Sequence, residues 1–539
     1  MHVIRQQAAF AEEHGLFKSA FAWDVLRNIV LPDCSRAQEC YRSLACVSSV
    51  DYFISHSWSC PKWKKILAIC HHFNLDSAIV LCSLTCIVNA SILLLLTGSF
   101  SAVARHYQDW VFFTLFHLPM GVFLVTYCFG HLFWKTTFWF DGACVNQADM
   151  LEKAAVLQAI PAFVANSSQM LVLWDDKYFE RLWCIYELAV SCKSCTSPRE
   201  MQFVPVWAPI WSLYSITVMA MVAVSFPQVQ MTFLLDWNSQ GSLFLSMFNF
   251  ELEPFWVCAV MALPTTFFCF QKLDGHKLML DQMASFDLRN AQCTLETDRV
   301  VLQRQVVDLF DEALEPPLFV SFGVQDPMPN ADSLAMQMEV VDHAVRHVTS
   351  YPTPDEVIDQ FNAYVRGPLR DRAVSLMGHE TDISMKLCIV FNLPLYLLGL
   401  VMVWGCYGQR DCEASASHAG YPSVSQYLLC NVTMNFIITP ALSTLLFPMA
   451  LRVNYWVTRA IKGGVWRVVS GSFCTTLVIF VTNCLQSTGA SATVVIVNRC
   501  STMWLVSYIG ACILVSLLAW FLFKPHKRFV PSQRPLAAW

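Results

Sequence analysis

Eight uncharged apolar runs of about 20 residues, the length of helix that crosses a hydrocarbon core of ~30 Å, punctuate the chain. They occupy residues 77–97, 110–134, 207–226, 255–270, 387–407, 427–451, 468–486 and 503–523. Between them the pattern changes to short strands and amphipathic helices. Segment 50–57 (VDYFISHS) is an apolar run ending in small polar residues, the pattern of a buried strand feeding a loop. After the first apolar hairpin, 136–141 (TTFWFD) predicts a second strand and 151–164 has helical spacing. Next come a third strand at 169–174 (QMLVLW), a helix at 180–192 and a fourth strand at 201–207 (MQFVPVW). Alternating strands and helices imply β-α-β crossovers, a parallel sheet and a ligand crevice beyond the carboxyl ends of its strands.

Those ends carry Ser55, His56 and Ser57, then Asp141 and Gly142, then Asp175 and Asp176. Residues of these types also cap helices or make turns, so their position leaves both readings open. The stretch LWCIYELAVSC is more specific, because Glu187 is its only charged residue. Such a carboxylate lies either on a narrow solvent stripe or in a partly desolvated site, where its pKa rises. Trp183 sits one turn earlier on the same helix face, which favours a lined pocket.

Composition moves this α/β domain onto a membrane. The 539 residues are 55% hydrophobic and 14% charged, with a mean hydropathy of +0.45; soluble domains carry about 25% charged residues. The lipid bilayer is therefore the expected partner. A net charge of −5 gives no sign of a nucleic-acid partner. The 23 cysteines, in a chain this long, read mostly as small apolar fillers. Of the 35 Lys and Arg, all but Arg105, Arg410 and Arg499 fall on one side of the spans, which makes that side cytoplasmic and places both termini there. Charges scattered through the opening residues argue against a cleavable signal peptide.

The expected map is a cytoplasmic helical segment (1–49), a first piece of α/β domain (50–76), a transmembrane hairpin (77–134) and the second α/β piece (135–206). A second hairpin (207–270), a cytoplasmic helical region (271–386), a four-helix transmembrane bundle (387–523) and a basic tail (524–539) complete it. The fold class is thus an α/β cytoplasmic domain combined with an all-α bundle of about eight transmembrane helices.

DYFISHSW, FWFDGACVNQ, QMLVLWDDKYFERLWCIYEL and QFVPVW together resemble a divergent Toll/interleukin receptor (TIR) domain. LWCIYEL is similar to the family's WC-x-x-E-L signature. The resemblance covers roughly residues 50–74 and 136–207, with the hairpin inserted between the first helix and second strand. It leaves a fifth strand to be supplied from elsewhere, with 318–322 (LFVSF) as the candidate. It implies a scaffold that signals by homo-oligomerising, or an enzyme that cleaves the nicotinamide–ribose bond of NAD. NAD would then be a substrate, and no cofactor is implied. On the enzymatic reading Glu187 stabilises an oxocarbenium-like transition state. Ser55, His56 and Ser57 line the nicotinamide pocket beside Asp141 and Trp183, and the loop after Asp141 acts as a lid or assembly contact. His56 is expected to hydrogen-bond within its loop rather than act as a base.

The remaining chain carries less chemistry. Residues 287–315 have the spacing of an amphipathic helix, and Arg366, Arg370 and Arg372 read as a solvated face or a lipid contact. Cys192 and Cys195 lack a second ligand pair, so no metal is expected. Cys412 and Cys500 read either as a disulfide or as unrelated thiols. The eight spans hold no Asp, Glu, Lys or Arg, which weighs against an ion-coupled transporter. A channel or transporter-like protein with regulatory or structural TIR-like pieces is the alternative reading.

Overall fold

In the run VDYFISH every position from Phe53 onward is buried, which is the burial of a strand covered on both faces. The computed structural model describes residues 10–30, 41–99, 102–103, 106, 110–133, 135–146, 148–194, 201–236, 243–293, 296–310, 353–406, 412–418, 421–499 and 502–523. Six strands form one sheet: β1 (Lys18–Phe21), β2 (Ala45–Cys46), β3 (Val50–His56), β4 (Thr137–Trp139), β5 (Ser167–Trp174) and β6 (Met201–Pro205). Their order is β2-β1-β4-β3-β5-β6. β3 pairs in parallel with β4, Tyr52 opposite Phe138, and with β5, Phe53 opposite Met170; β5 pairs in parallel with β6.

The four parallel strands therefore run second, first, third, fourth in space. In a doubly wound sheet of this order the switch point, and with it the crevice, falls between the first and third strands, here β3 and β5. The segment before Val50, expected to be helical, adds the antiparallel strands β1 and β2 as well as a helix (Ala22–Val30). β1 covers the outer edge of the three-residue β4, an edge that would otherwise offer unpaired backbone groups. Residues 318–322 lie outside the described residues, and β6 is the far edge of the described sheet.

Stacked aromatic rings hold the two α/β pieces together. Phe53 lies 4.6 Å from Trp139 by ring centroids, Trp139 5.7 Å from Phe163, and Phe163 4.7 Å from Phe17. All four side chains are buried.

The hairpin between β3 and β4 is built from helix Lys62–Thr97 and the helical stretch Trp110–Phe133, which includes a π turn at Phe113–His117. The first helix has 36 residues, about 54 Å at 1.5 Å per residue. It starts beyond the carboxyl end of β3 and runs back past the sheet, so the apolar hairpin projects from the amino-terminal end of the strands. Asn74 Nδ2 donates to the Tyr127 carbonyl at 2.9 Å and Asn89 Nδ2 to the Thr114 carbonyl at 2.7 Å, tying the two helices together.

Among the described residues four helices are long and apolar enough to cross a membrane: Lys62–Thr97, Trp110–Phe133, Val424–Ala460 and Gly464–Gln486. The run at 387–407, expected as one span, is two helices, Met385–Phe391 and Leu393–Trp404, meeting at 52°. Pro394, in the first turn of the second helix, brings no N–H and its ring crowds the preceding turn. The runs at 207–226, 255–270 and 503–523 lie in helices Ala208–Asp236, Leu243–Ala284 and Thr502–Phe523. Cys412 is disulfide-bonded to Cys406, so its partner is a cysteine six residues earlier; Cys500 lies outside the described residues.

Replacing Trp139 by Ala opens a cavity at the seam between β3 and β4. A loss of about 3–5 kcal/mol is expected, seen as a lower thermal midpoint of the detergent-purified protein; an unchanged midpoint would show that the seam does not carry the sheet.

Candidate functional site

At the carboxyl end of β3, the Ser55 hydroxyl donates to Glu187 Oε2 at 2.6 Å and lies 2.7 Å from the Tyr178 hydroxyl. β3 supplies the serine, the turn after β5 the tyrosine, and helix Leu182–Ser194 the glutamate. The group thus spans the β3/β5 switch point. Burial holds the Glu187 carboxyl well above its ordinary range, and the Ser55 hydrogen bond opposes that only in part. Burial there favours the neutral acid. A cation placed beside it favours the carboxylate.

His56 belongs to a neighbouring group. It is buried, and desolvation pushes its pKa down to about 4, so it is neutral 3.7 Å from Asp141. Its ring stacks on Phe140 at 4.9 Å. Asp141 accepts from the Trp58 indole at 2.7 Å and from the Gly142 N–H at 2.6 Å. Trp58 is exposed and lies across His56 like a roof, with ring centroids 5.8 Å apart. Ser57 Oγ is 2.6 Å from Ser59 Oγ, within its own loop. The side chain beside the Ser55–Glu187 pair is Tyr178, whereas Trp183 packs edge-on against Tyr186. The stretch after Asp141, expected as a loop, begins as the short helix Asp141–Cys144, and Ala143, Cys144 and Val145 are buried.

Two residues, Tyr178 and Lys65, escaped the sequence reading of the site, and Asp175 entered it only by its position. Tyr178 belongs to a turn, where no periodicity marks a buried position. Asp175 stood out only as a strand-end residue; it is 4% exposed and its Oδ1 has no hydrogen-bond partner. Lys65 sits in the cluster KWKK, which reads as solvated, yet it is 5% exposed. Its ammonium lies within electrostatic reach of Cys60, Asp141, Asp175 and Cys184, and burial lowers its pKa.

A strap from the helical region fixes the turn that bears Tyr178. Gln292 donates its N–H to the Glu180 carbonyl at 2.5 Å, and its own carbonyl accepts from the Leu182 N–H at 3.0 Å. Gln282 Nε2 reaches the Asp176 carbonyl at 2.5 Å. The strap is held in turn by Asn362, which accepts from the Leu288 N–H, and by Arg366, which donates to the Phe286 carbonyl at 2.7 Å. Residues 287–293, expected to be helical, are thus a short 3-10 turn and an extended piece, and the helix begins at Glu296. Arg366 binds this strap, a role distinct from the expected lipid contact or solvated face.

A depression of about 410 Å³ lined by Asp51, Tyr52, Lys135, Thr136, Ser168 and Gln169 lies at the opposite, amino-terminal end of the strands. Among the described residues no group of three or more His, Cys, Asp or Glu side chains could hold a metal ion.

The class these features define is a mixed, mostly parallel α/β sheet joined to helices long and apolar enough to cross a membrane. Comparison with family models, curated proteins and solved structures finds no match.

Burial pushes the Asp175 carboxyl up from 3.8 to about 6. A folded state that keeps a proton the unfolded chain has lost becomes less stable as pH rises through that window. Asp175→Asn should therefore melt higher than wild type at pH 7.5, with the gap closing toward pH 4. A gap independent of pH would show that Asp175 ionises freely.

Proposed function

We propose that the chain is a multi-pass membrane protein that signals through self-association of a cytoplasmic TIR-like domain, with hydrolysis of NAD at the nicotinamide–ribose bond as the chemistry of Glu187. The observation that carries this reading is one glutamate, hydrogen-bonded to Ser55 at the carboxyl edge of a doubly wound sheet. The four long apolar helices and the one-sided distribution of Lys and Arg support the membrane placement.

The chemistry suits such a site. The ribosyl C1′–N bond breaks with its electron pair moving to the pyridinium nitrogen, so nicotinamide leaves neutral and no general acid is required. The cationic ring favours the charged form of the part-buried Glu187, and the carboxylate then stabilises the oxocarbenium-like sugar. Water adds to C1′ and releases a proton, giving ADP-ribose. Ser55 and Tyr178 would orient the carboxylate. His56, neutral and stacked on Phe140, shapes the pocket wall. In the resting form Ser55 and Tyr178 crowd Glu187 and Trp58 bridges to Asp141, so substrate entry requires this group to open, and assembly is the event that opens it.

A second reading, membrane transport, draws support from the broken helix at Asn392, a buried side chain whose Oδ1 has no partner. Helix breaks within membrane bundles commonly line cavities.

Purified protein, clustered on vesicles and given NAD, should release nicotinamide. Glu187→Ala should abolish release, and Glu187→Gln should lower it at least about a hundredfold. If wild type and Glu187→Ala are equally inert when clustered, the hydrolytic reading fails and the scaffold reading stands. Ion flux into liposomes that persists in Glu187→Ala would favour transport.

A further inference from the structure

Lys65 is a largely buried lysine whose ammonium has no protein partner. It is 5% exposed, and among the described residues it makes no hydrogen bond and no ion pair within 4 Å. Its Nζ keeps contact with solvent, so an anion can reach the ammonium. Lys65 lies in the first turn of helix Lys62–Thr97, whose cap, Pro61, offers no side-chain hydrogen bond and whose first turn holds no acid. The first N–H groups of that helix and its dipole add positive potential at the same place. Across the switch point, Asp175 is equally buried and its Oδ1 is unpartnered. The two groups feel each other's charge without touching.

A cation and a buried acceptor kept apart, both at the carboxyl edge of the sheet that also carries Ser55 and Glu187, suit a ligand with an anionic group at one point and a hydroxyl at another. We propose that the β3/β5 crevice binds a phosphorylated sugar, with a phosphoryl group on Lys65 at the start of helix Lys62–Thr97 and a sugar hydroxyl donating to Asp175. A lipid phosphate is the poorer match, because Lys65 precedes the apolar run at 77–97 by roughly 18 Å of helix and lies at the end of the sheet away from the hairpin. The proposal deepens the nucleotide reading of this crevice by assigning the group that holds the diphosphate, yet its test does not need turnover.

The test is calorimetric titration of the detergent-purified full chain with inorganic pyrophosphate and then ADP-ribose. Lys65→Met should weaken pyrophosphate binding by about tenfold or more, while Lys65→Arg stays within about threefold of wild type. Lys62→Met, an exposed neighbour, should leave it unchanged. Should Lys65→Met fail to fold, acylation of wild type read by mass spectrometry replaces it, with pyrophosphate expected to slow labelling of Lys65 relative to Lys62. No binding by wild type, equal binding by Lys65→Met, or an equal loss in Lys62→Met would overturn the proposal. Lys65-dependent pyrophosphate binding without nicotinamide release would sustain the phosphate site and refute the hydrolytic reading instead.

Discussion

Two backbone pairings, Tyr52 with Phe138 and Phe53 with Trp139, close the sheet across the apolar hairpin, and the rest of the structure depends on them. Because β3 and β4 are parallel, the chain leaves β3 at the carboxyl edge and must re-enter β4 at the amino edge, one strand spacing of about 4.8 Å to the side. Helix Lys62–Thr97 covers that return, and the helical stretch Trp110–Phe133 brings the chain back to the start of β4. The buried ring stack of Phe53, Trp139 and Phe163 then holds the seam. Because helix Lys62–Thr97 begins beyond the carboxyl end of β3 and runs back past the sheet, the same connection sends the hairpin one way and turns the crevice the other.

The crevice inherits its electrostatics from that arrangement. Ser55, Glu187, Lys65 and Asp175 are brought to one edge by four different elements, and burial there favours the neutral form of each ionisable one. The Tyr178 turn that presses on this group is not free. Gln292 pairs with Glu180 and Leu182, and the strap carrying Gln292 continues directly from helix Leu243–Ala284, which also contains an apolar run. That helix is therefore joined to the turn over Glu187 through backbone hydrogen bonds, with few flexible side chains between.

Much of the parallel sheet was legible because buried strands and amphipathic helices have different periods, and the alternation from Val50 to Trp207 is regular. Glu187 stood out because it is the only charge in the stretch LWCIYELAVSC, and Ser55 because it ends a strand. The rest was hidden for physical reasons. β1 and β2 are four and two residues long, too short to show a period. Lys65 shares its turn with exposed Lys62 and half-buried Lys64, and only the helix's docking angle decides which of them is buried. Tyr178 and the strap at 287–293 are placed by contacts distant in sequence. The break at Asn392 interrupts an apolar run whose composition does not change there.

The most direct test of the account is a cross-link across the seam. Asp51 and Thr137 are side-chain neighbours on β3 and β4, with Asp51 Oδ2 accepting from the Thr137 hydroxyl at 2.9 Å. Cysteines placed at both positions, in membranes holding a chain with a protease site between residues 98 and 109, should join the two cleaved fragments under oxidation. The fragments should separate on reduction, and the chain without the added cysteines should give none of this product. Fragments that part freely under oxidation would mean that the two stretches do not share a sheet, and the crevice with its glutamate would not exist as described.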